Sequence, residues 1–354
     1  MPTAAAVVRA PFGRMPDGTP VDQFTITNAS GASVSIVTLG GIITSVVVPD
    51  RNGKLGDVVL GYDNLSAMRV AGGYMNAVIG RVCNRIGAAR FTLNGIEYQL
   101  ARNDNGNHLH GGAVGFDKRV WDAEIVERGV RLTLVSPDGD EGYPGALTVN
   151  VTYTFTDDNA LTIQYQAVSD KDTIVNLTNH AYFNLEGLES RSIADHEMRI
   201  NAESVTAIAS AECIPTGELY PISGTPLDLR EFRNLGEALE MEKTDPQMSM
   251  GVGFDHNYVM KGKGFKRAAT LRAPKSGRVM HVDTDAPGLQ FYSGNHIHGD
   301  TIGKAGEPYE YRQGLCLETQ NWPDAINHPG FPSSVLKPGG KYSTKTTFTF
   351  DVMR

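Results

Sequence analysis

The chain has 354 residues, of which 40% are hydrophobic and 20% charged, a balance typical of a globular protein. Its formal net charge of -8 argues against a nucleic-acid-binding groove, which needs a clustered basic face. The first residues lack a cationic segment followed by a long apolar stretch, so we expect no signal peptide and no membrane-spanning segment.

Short segments of alternating polar and apolar residues, separated by turn formers, run along the chain. The first predicted strands lie within residues 34–48, and a hairpin follows over 123–126 and 130–135. The clearest alternation covers 146–156 and resumes over 161–167, which is typical of an antiparallel hairpin with one buried face. Further strands are predicted at residues 196–201, 268–273, 278–283, 289–292 and 342–352.

Helical periodicity is scarce in this chain. Residues 64–70 and 234–242 are predicted as short helices, each opened by a capping asparagine. Many short strands without long intervening helices predict an all-β protein, built as a large antiparallel sandwich or barrel. Because no linker, repeat or low-complexity tract divides the chain, we expect a single domain over residues 1–354, with 1–20 as a flexible or edge segment.

The segment 176–185 carries an unusually dense set of polar side chains. If it forms one strand, Asn179 lies on the apolar face. The other face would hold Asn176, Thr178, His180, Tyr182 and Asn184. A solvated face is the simpler interpretation. The alternative is a cleft for a polyhydroxylated ligand, because amide, hydroxyl, imidazole and phenol groups together donate and accept hydrogen bonds.

Charged residues in three other motifs each have two interpretations. Arg81 and Arg85 form either a surface salt-bridge pair or a pair of forks for an anion or vicinal hydroxyls. Asp255 stands beside a histidine on an apolar background and either caps a loop or binds a ligand hydroxyl. Glu318 follows a short apolar run. Desolvation there would raise its pKa and make it a usable general base, whereas the alternative is a structural anchor for the following loop.

Two His-x-His pairs raise the question of a metal. His108 with His110, and His296 with His298, would each share one face of a strand, which suits a metal ion. Neither pair is followed at the right distance by the carboxylate that such a site needs, so we expect no metal. We expect His110 to handle a sugar or a proton, and the other three histidines to be structural.

Together these motifs resemble those of the aldose 1-epimerase (galactose mutarotase) family. The resemblance spans about residues 24–352, and the motifs follow the family's order and spacing. They are residues 80–87, 109–112, 142–145, 176–185, 255–257 and 317–320 running on to 332–333. The resemblance implies a large antiparallel β-sandwich with an open cleft and few short helices. It also implies interconversion of the α and β anomers of free hexoses such as galactose and glucose, without a cofactor.

The resemblance implies roles for seven residues. Glu318 would be the general base and His180 the general acid, on opposite sides of the sugar acetal. The sugar-binding positions would be Asn84, Arg85, His110, Asp255 and Gln290. We then expect His180 to point inward, within one sugar ring of Glu318, with Tyr182 on the same face. Four aromatic residues are candidates for an apolar floor beneath the sugar, although each of them would equally fit the core: Trp121, Tyr182, Phe291 and Trp322.

Two alternatives on the same fold stay open. One is a sugar-binding protein without catalytic activity, and the other is a hexose-6-phosphate 1-epimerase whose dianionic substrate would need Arg81 and Arg85. In either case we expect a small sugar as partner, and neither nucleic acid nor a membrane. We expect a monomer or a homodimer. Three widely separated cysteines fit no disulfide framework, which favours a cytoplasmic protein.

Overall fold

A computed structural model describes residues 6–70, 74–299 and 301–353 of the chain. Antiparallel sheets dominate it, and the three largest contain five, nine and six strands. One apolar cluster joins side chains from all three sheets, for example Phe24, Val151 and Phe291. The predicted all-β antiparallel architecture with few short helices is therefore confirmed.

The five-stranded sheet follows chain order. Its strands are Ala6–Arg14, Pro20–Thr27, Ser33–Val37, Ile43–Pro49 and Leu55–Asp57. The two strands predicted within residues 34–48 are confirmed. The turn between them passes Gly40 at φ 63°, where a Cβ atom would lie 2.4 Å from the carbonyl oxygen of Asp117. Only glycine fits a left-handed backbone this close to another chain segment.

The nine-stranded sheet contains most of the strands predicted from alternation. In spatial order they are Asp122–Val126, Gly129–Ser136, Leu147–Phe155, Ala160–Ser169, Tyr342–Val352, Arg278–Thr284, Lys266–Arg272, Glu197–Ile200 and Arg233–Asn234. Leu147–Phe155 alternates strictly between buried and half-buried residues, because its sheet has one face in the core. The strand nearest the carboxyl terminus, Tyr342–Val352, pairs with Ala160–Ser169 on one side and Arg278–Thr284 on the other. It thereby joins two halves of the sheet that are distant in sequence.

The six-stranded sheet has the most buried strands. Its order is Tyr182–Phe183, Leu315–Gln320, Gly288–Tyr292, Asp255–Met260, Ala202–Ile208 and Pro215–Pro221. All residues of Leu315–Gln320 and Gly288–Tyr292 are buried, so these strands lack the alternation that sequence patterns detect. Among the described residues, four two-stranded ladders complete the sheets: Val78–Ile79 with Thr178–Asn179, Arg85–Ile86 with His108–Leu109, Arg90–Leu93 with Ile96–Gln99, and Thr173–Ile174 with Val335–Leu336.

The α-helices are short: Leu65–Val70, Leu235–Glu240 and Pro246–Met250. The side chains of Asn64 and Asn234 accept hydrogen bonds from the first turns of the helices that follow them, which confirms both predicted caps. The helix Pro246–Met250 was not predicted, since it is too short to show a period. Within the described ranges, no helix combines the length and the apolar character that a membrane span requires.

Segment 176–185 differs from the single strand predicted for it. Thr178–Asn179 pairs with Val78–Ile79, whereas Tyr182–Phe183 pairs with the strand Leu315–Gln320, so the chain changes partners at His180. All ten residues are buried, and the interpretation as a solvated face is therefore wrong. Asn179 is tied into the interior as expected, because its amide donates to the carbonyl of Asn76 at 3.1 Å.

Candidate active site

Three strands of the six-stranded sheet align a row of polar residues. The register places Asn257 opposite Gln290 and Gln290 opposite Glu318. The Gln290 amide donates to Asp255 Oδ1 at 2.6 Å, and the Gln320 amide donates to Asn257 Oδ1 at 3.1 Å and to Gln290 Oε1 at 3.4 Å. These buried amides therefore hold one another in fixed orientations.

Glu318 lies inside its strand rather than at the end of it, and it is 2% exposed. One carboxyl oxygen, Oε1, lies 3.6 Å from Nε2 of His180. The other, Oε2, is buried and has no hydrogen-bond partner within the described part of the chain. Burial raises the pKa of Glu318 well above its usual range, the charge of Asp255 raises it further, and Arg85 opposes both effects. The residue is thus a carboxyl group with one oxygen available to a ligand.

His180 stands where segment 176–185 changes partners. Its ring stacks on Tyr182 with centroids 5.1 Å apart, and its Nδ1 lies 3.4 Å from the sulfur of Cys316. Burial lowers the pKa of His180 to about 4, so the imidazole is neutral at pH 7. The expected inward orientation, the closeness to Glu318 and the position of Tyr182 are all confirmed.

His110 is held by an unusual backbone. Asn84 at φ 59° donates its backbone N–H to Nδ1 of His110 at 3.0 Å. Since Nδ1 accepts this bond, the proton of a neutral ring is on Nε2. Burial lowers the pKa of His110 well below its usual value, so the ring stays neutral. A side chain at Gly111 would place Cβ 1.8 Å from the carbonyl oxygen of Gly80, which explains the glycine after the histidine.

Charged groups stand beside the two histidines. The Arg85 guanidinium donates to Asp104 at 2.8 Å, and its strand register places it opposite Leu109. Its positive charge lowers the pKa of both Glu318 and His110. Asp255 accepts from Gln290 and lies 3.8 Å from the thiol of Cys213. The site therefore combines one fixed cation with two carboxyl groups.

One group of residues in the site has the donor set of a metal centre. His110, His180 and Glu318 each offer one ligand atom, and these atoms lie within 4.8 Å of one another. Two imidazoles and a carboxylate suit zinc. The positive charge of Arg85, felt by two of the three residues, opposes a cation at this point. The His108–His110 pair contributes only His110 to this group, and the His296–His298 pair contributes neither residue. The expectation of no metal stays a prediction.

Comparison with known proteins identifies the family of this chain. Residues 22–349 match the aldose 1-epimerase family. The chain belongs to this family. The galactose mutarotase of Homo sapiens is 45% identical over 350 residues, covering 98% of this chain and 99% of the relative. The aldose 1-epimerase of Escherichia coli strain K12 is 37% identical over 342 residues, covering 95% and 96% of the two chains.

Solved structures agree with this assignment. The aldose epimerase homologue from C. elegans superimposes with a TM-score of 0.85 at 26% identity, covering 99% of this chain and 100% of the other. The galactose 1-epimerase from Lactobacillus acidophilus gives a TM-score of 0.85 at 27% identity with the same coverage. The predicted family and enzyme class are confirmed: the protein is an epimerase, an isomerase that acts on carbohydrates.

Several candidate residues lie outside the candidate site. Arg81 is 1% exposed, and its guanidinium donates to the carbonyl groups of Ser136, Pro137, Pro144 and Gly145. It is neither a surface salt bridge nor an anion fork, because both of its terminal nitrogens already donate to the turns around it. His108 bonds Tyr143 Oη at 2.6 Å and the carbonyl of Ala101 at 2.8 Å, which confirms its structural role.

The four aromatic residues considered for a sugar-facing surface have different environments. Trp121 and Phe291 belong to the main apolar cluster. Trp322 donates to the carbonyl of Pro287 at 3.0 Å and packs on Phe331. Tyr182 alone among the four packs against His180.

Several further residues of the candidate site were not predicted from the sequence. Cys316 and Gln320 stand two positions from Glu318, and Asn257 two from Asp255, so the period of a strand would have placed them on the same face. Tyr74 packs 4.6 Å from His110 and 6.3 Å from His180, measured between ring centroids. No pattern in its own segment signals this contact, which arises from tertiary folding alone.

Proposed function

We propose that the protein interconverts the α and β anomers of free hexoses such as galactose and glucose, with Glu318 as general base and His180 as general acid. The observation that carries this proposal is the 3.6 Å separation of His180 Nε2 and Glu318 Oε1 in a buried site. A carboxyl and an imidazole at this distance can exchange protons with two neighbouring oxygens of one ligand.

Nε2 of His180 and Oε1 of Glu318 lie 3.6 Å apart. This arrangement suits the reaction, because the anomeric hydroxyl and the ring oxygen are bonded to the same carbon, C1. Glu318 takes the hydroxyl proton while His180 gives a proton to the ring oxygen. The bond from C1 to the ring oxygen breaks, its electron pair goes to that oxygen, and a carbonyl forms at C1. Rotation about the C1–C2 bond exposes the other carbonyl face, and the roles reverse on closure.

The acid–base pair needs a single proton throughout this cycle. Ring opening starts from Glu318 ionised and His180 protonated, and it ends with Glu318 protonated and His180 neutral. Both states carry one proton, so the ratio of their populations does not depend on pH. Burial raises the pKa of Glu318 and lowers that of His180 to about 4, so the proton rests on the carboxyl group when no sugar is bound. The cycle requires neither a metal nor a redox cofactor.

The remaining site residues are proposed to bind the sugar. The Nε2–H of His110 and the guanidinium of Arg85 would donate to sugar oxygens. Asp255 would accept from hydroxyl groups, with Gln290 beside it, because their mutual hydrogen bond fixes both. Asn84 would act mainly by holding His110 through its backbone N–H.

The geometry favours free hexoses over hexose 6-phosphates. A dianion needs several unpaired cationic donors. The terminal nitrogens of Arg81 already donate to backbone carbonyl groups, and Nε of Arg85 is paired with Asp104. A non-catalytic sugar-binding role would leave the closely spaced Glu318 and His180 without a purpose.

Polarimetry tests the proposal directly. Freshly dissolved α-galactose and α-glucose should reach anomeric equilibrium faster with the protein than in buffer. The protein should accelerate the mutarotation of glucose 6-phosphate much less. Measurable sugar binding without any acceleration would instead support the non-catalytic alternative. A preference for the phosphorylated sugar would contradict the assignment to free hexoses.

We further propose a cytoplasmic protein that is a monomer or a homodimer. Cys83, Cys213 and Cys316 are all free thiols, which suits a reducing compartment. Light scattering of the purified protein distinguishes the two oligomeric states.

A further inference from the structure

The two ring nitrogens of His180 have different neighbours. Nε2 lies 3.6 Å from Glu318 Oε1, on the side proposed for the sugar. Nδ1 lies 3.4 Å from the sulfur of Cys316, which is also 4.0 Å from the carbonyl oxygen of His180 itself. The contact is built into the sheet, because Tyr182 pairs with Cys316 and Cys316 shares a strand face with Glu318.

The chemistry of the cycle requires a particular neutral form of His180. When Nε2 gives its proton to the ring oxygen, the imidazole must keep its other proton on Nδ1. If Nδ1 carried no proton, loss of the Nε2 proton would leave an imidazolate, which is far too basic to form at neutral pH. On ring closure, Nε2 must then offer a lone pair to take the proton back.

A proton on Nδ1 needs an acceptor in this buried place. The sulfur of Cys316 is in reach, and sulfur is a weak acceptor. Its own S–H proton can be donated to the carbonyl oxygen of His180, so one side chain satisfies two groups of the same residue. Burial, and then the charge of Glu318, raise the pKa of the thiol well above its usual value, so the group stays protonated.

We propose that Cys316 is a positioning residue whose sulfur accepts a hydrogen bond from Nδ1–H of His180 and thereby keeps Nε2 as the nitrogen that exchanges protons with the sugar. The proposal rests on the proposed function for the role of His180. His110 shows the opposite arrangement, since its Nδ1 accepts from the backbone of Asn84. The two adjacent histidines, with ring centroids 5.2 Å apart, would hold opposite tautomers.

Nitrogen NMR of protein labelled with ¹⁵N-histidine measures the tautomers at neutral pH without sugar. In the wild type we expect His180 protonated on Nδ1 and His110 protonated on Nε2. Cys316→Ala removes the acceptor, so the His180 proton should move toward Nε2 and kcat should fall about fivefold, with KM nearly unchanged, as loss of one ordinary hydrogen bond predicts. Cys316→Ser keeps a donor and an acceptor and should restore both the tautomer and kcat.

Cys83→Ala is the matched control. Cys83 is also a buried free thiol beside the site, but its sulfur contacts Gln320 at 3.5 Å, so this change should leave the His180 tautomer as it is. A proton on Nε2 of His180 in the wild type would overturn the proposal, as would an unchanged tautomer in Cys316→Ala or failure of Cys316→Ser to restore it. Because the NMR measurement uses the resting protein, it decides this point even if polarimetry refutes the proposed reaction.

Discussion

Replacing Glu318 by glutamine should lower activity and raise stability together. Glutamine keeps the shape of the side chain but removes the base. Loss of a positioned base typically lowers the rate about 10²- to 10⁴-fold. The amide can still donate to Nε2 of His180 from the position of Oε1, so the buried contact survives.

The stability effect follows from the raised pKa of Glu318. An unfolded glutamate has a pKa of about 4.3. A carboxyl group whose pKa is higher in the folded state opposes folding once the pH exceeds the unfolded value, and the penalty grows until the pH passes the folded value. Each tenfold difference between the two acid constants corresponds to about 1.4 kcal/mol. Glutamine does not ionise, so the variant avoids this penalty.

Polarimetry and thermal unfolding measure the two effects on the same samples. We expect Glu318→Gln to lose most of its activity and to melt above the wild type at pH 8. The gap in Tm should be smaller at pH 5, and each kcal/mol should move Tm by about 1–2 °C in a chain of this size. A variant with near-wild-type rates would refute the assignment of the base. A variant that melts below the wild type at pH 8 would refute the argument from burial.

Three further predictions concern the acid, the proton count and the buried arginine. His180→Asn should slow mutarotation about 10²-fold or more while sugar still protects the variant from thermal unfolding; loss of folding would point to a structural role. In the wild type, kcat/KM should fall as pH drops toward about 4, where the Glu318–His180 pair gains a second proton, and fall again above the raised pKa of Glu318, where the pair loses its last one. A monotonic pH profile would contradict a one-proton pair. Arg81→Met should destabilise the fold by about 3–5 kcal/mol in denaturant unfolding, because it leaves buried carbonyl groups unpaired, yet folded protein should bind sugar normally. Loss of activity on sugars without loss of stability would reassign Arg81 to the site.

Local sequence patterns predict the secondary structure where one face of a sheet is exposed and the other is buried. Leu147–Phe155, Ala160–Ser169 and Tyr342–Val352 were predicted because alternation with a period of two is a local signal. The order of motifs likewise indicates the family, and the resemblance to that family pairs Glu318 with His180. These features depend on residues close together in the chain or on a preserved order of motifs.

Features that depend on contacts between distant segments are visible in the folded structure and not in the sequence. Segment 176–185 has strand-like alternation, but the chain changes pairing partners at His180 and all ten residues are buried. The alternation therefore wrongly predicted a single strand. Arg81 lies in the same sequence motif as Arg85. Its structural role becomes visible only in the fold, where its guanidinium donates to buried carbonyl groups of the surrounding turns. The contact of Cys316 with His180 joins residues 136 positions apart. Strand pairing over such separations is fixed by packing of the whole core, and no local period records it.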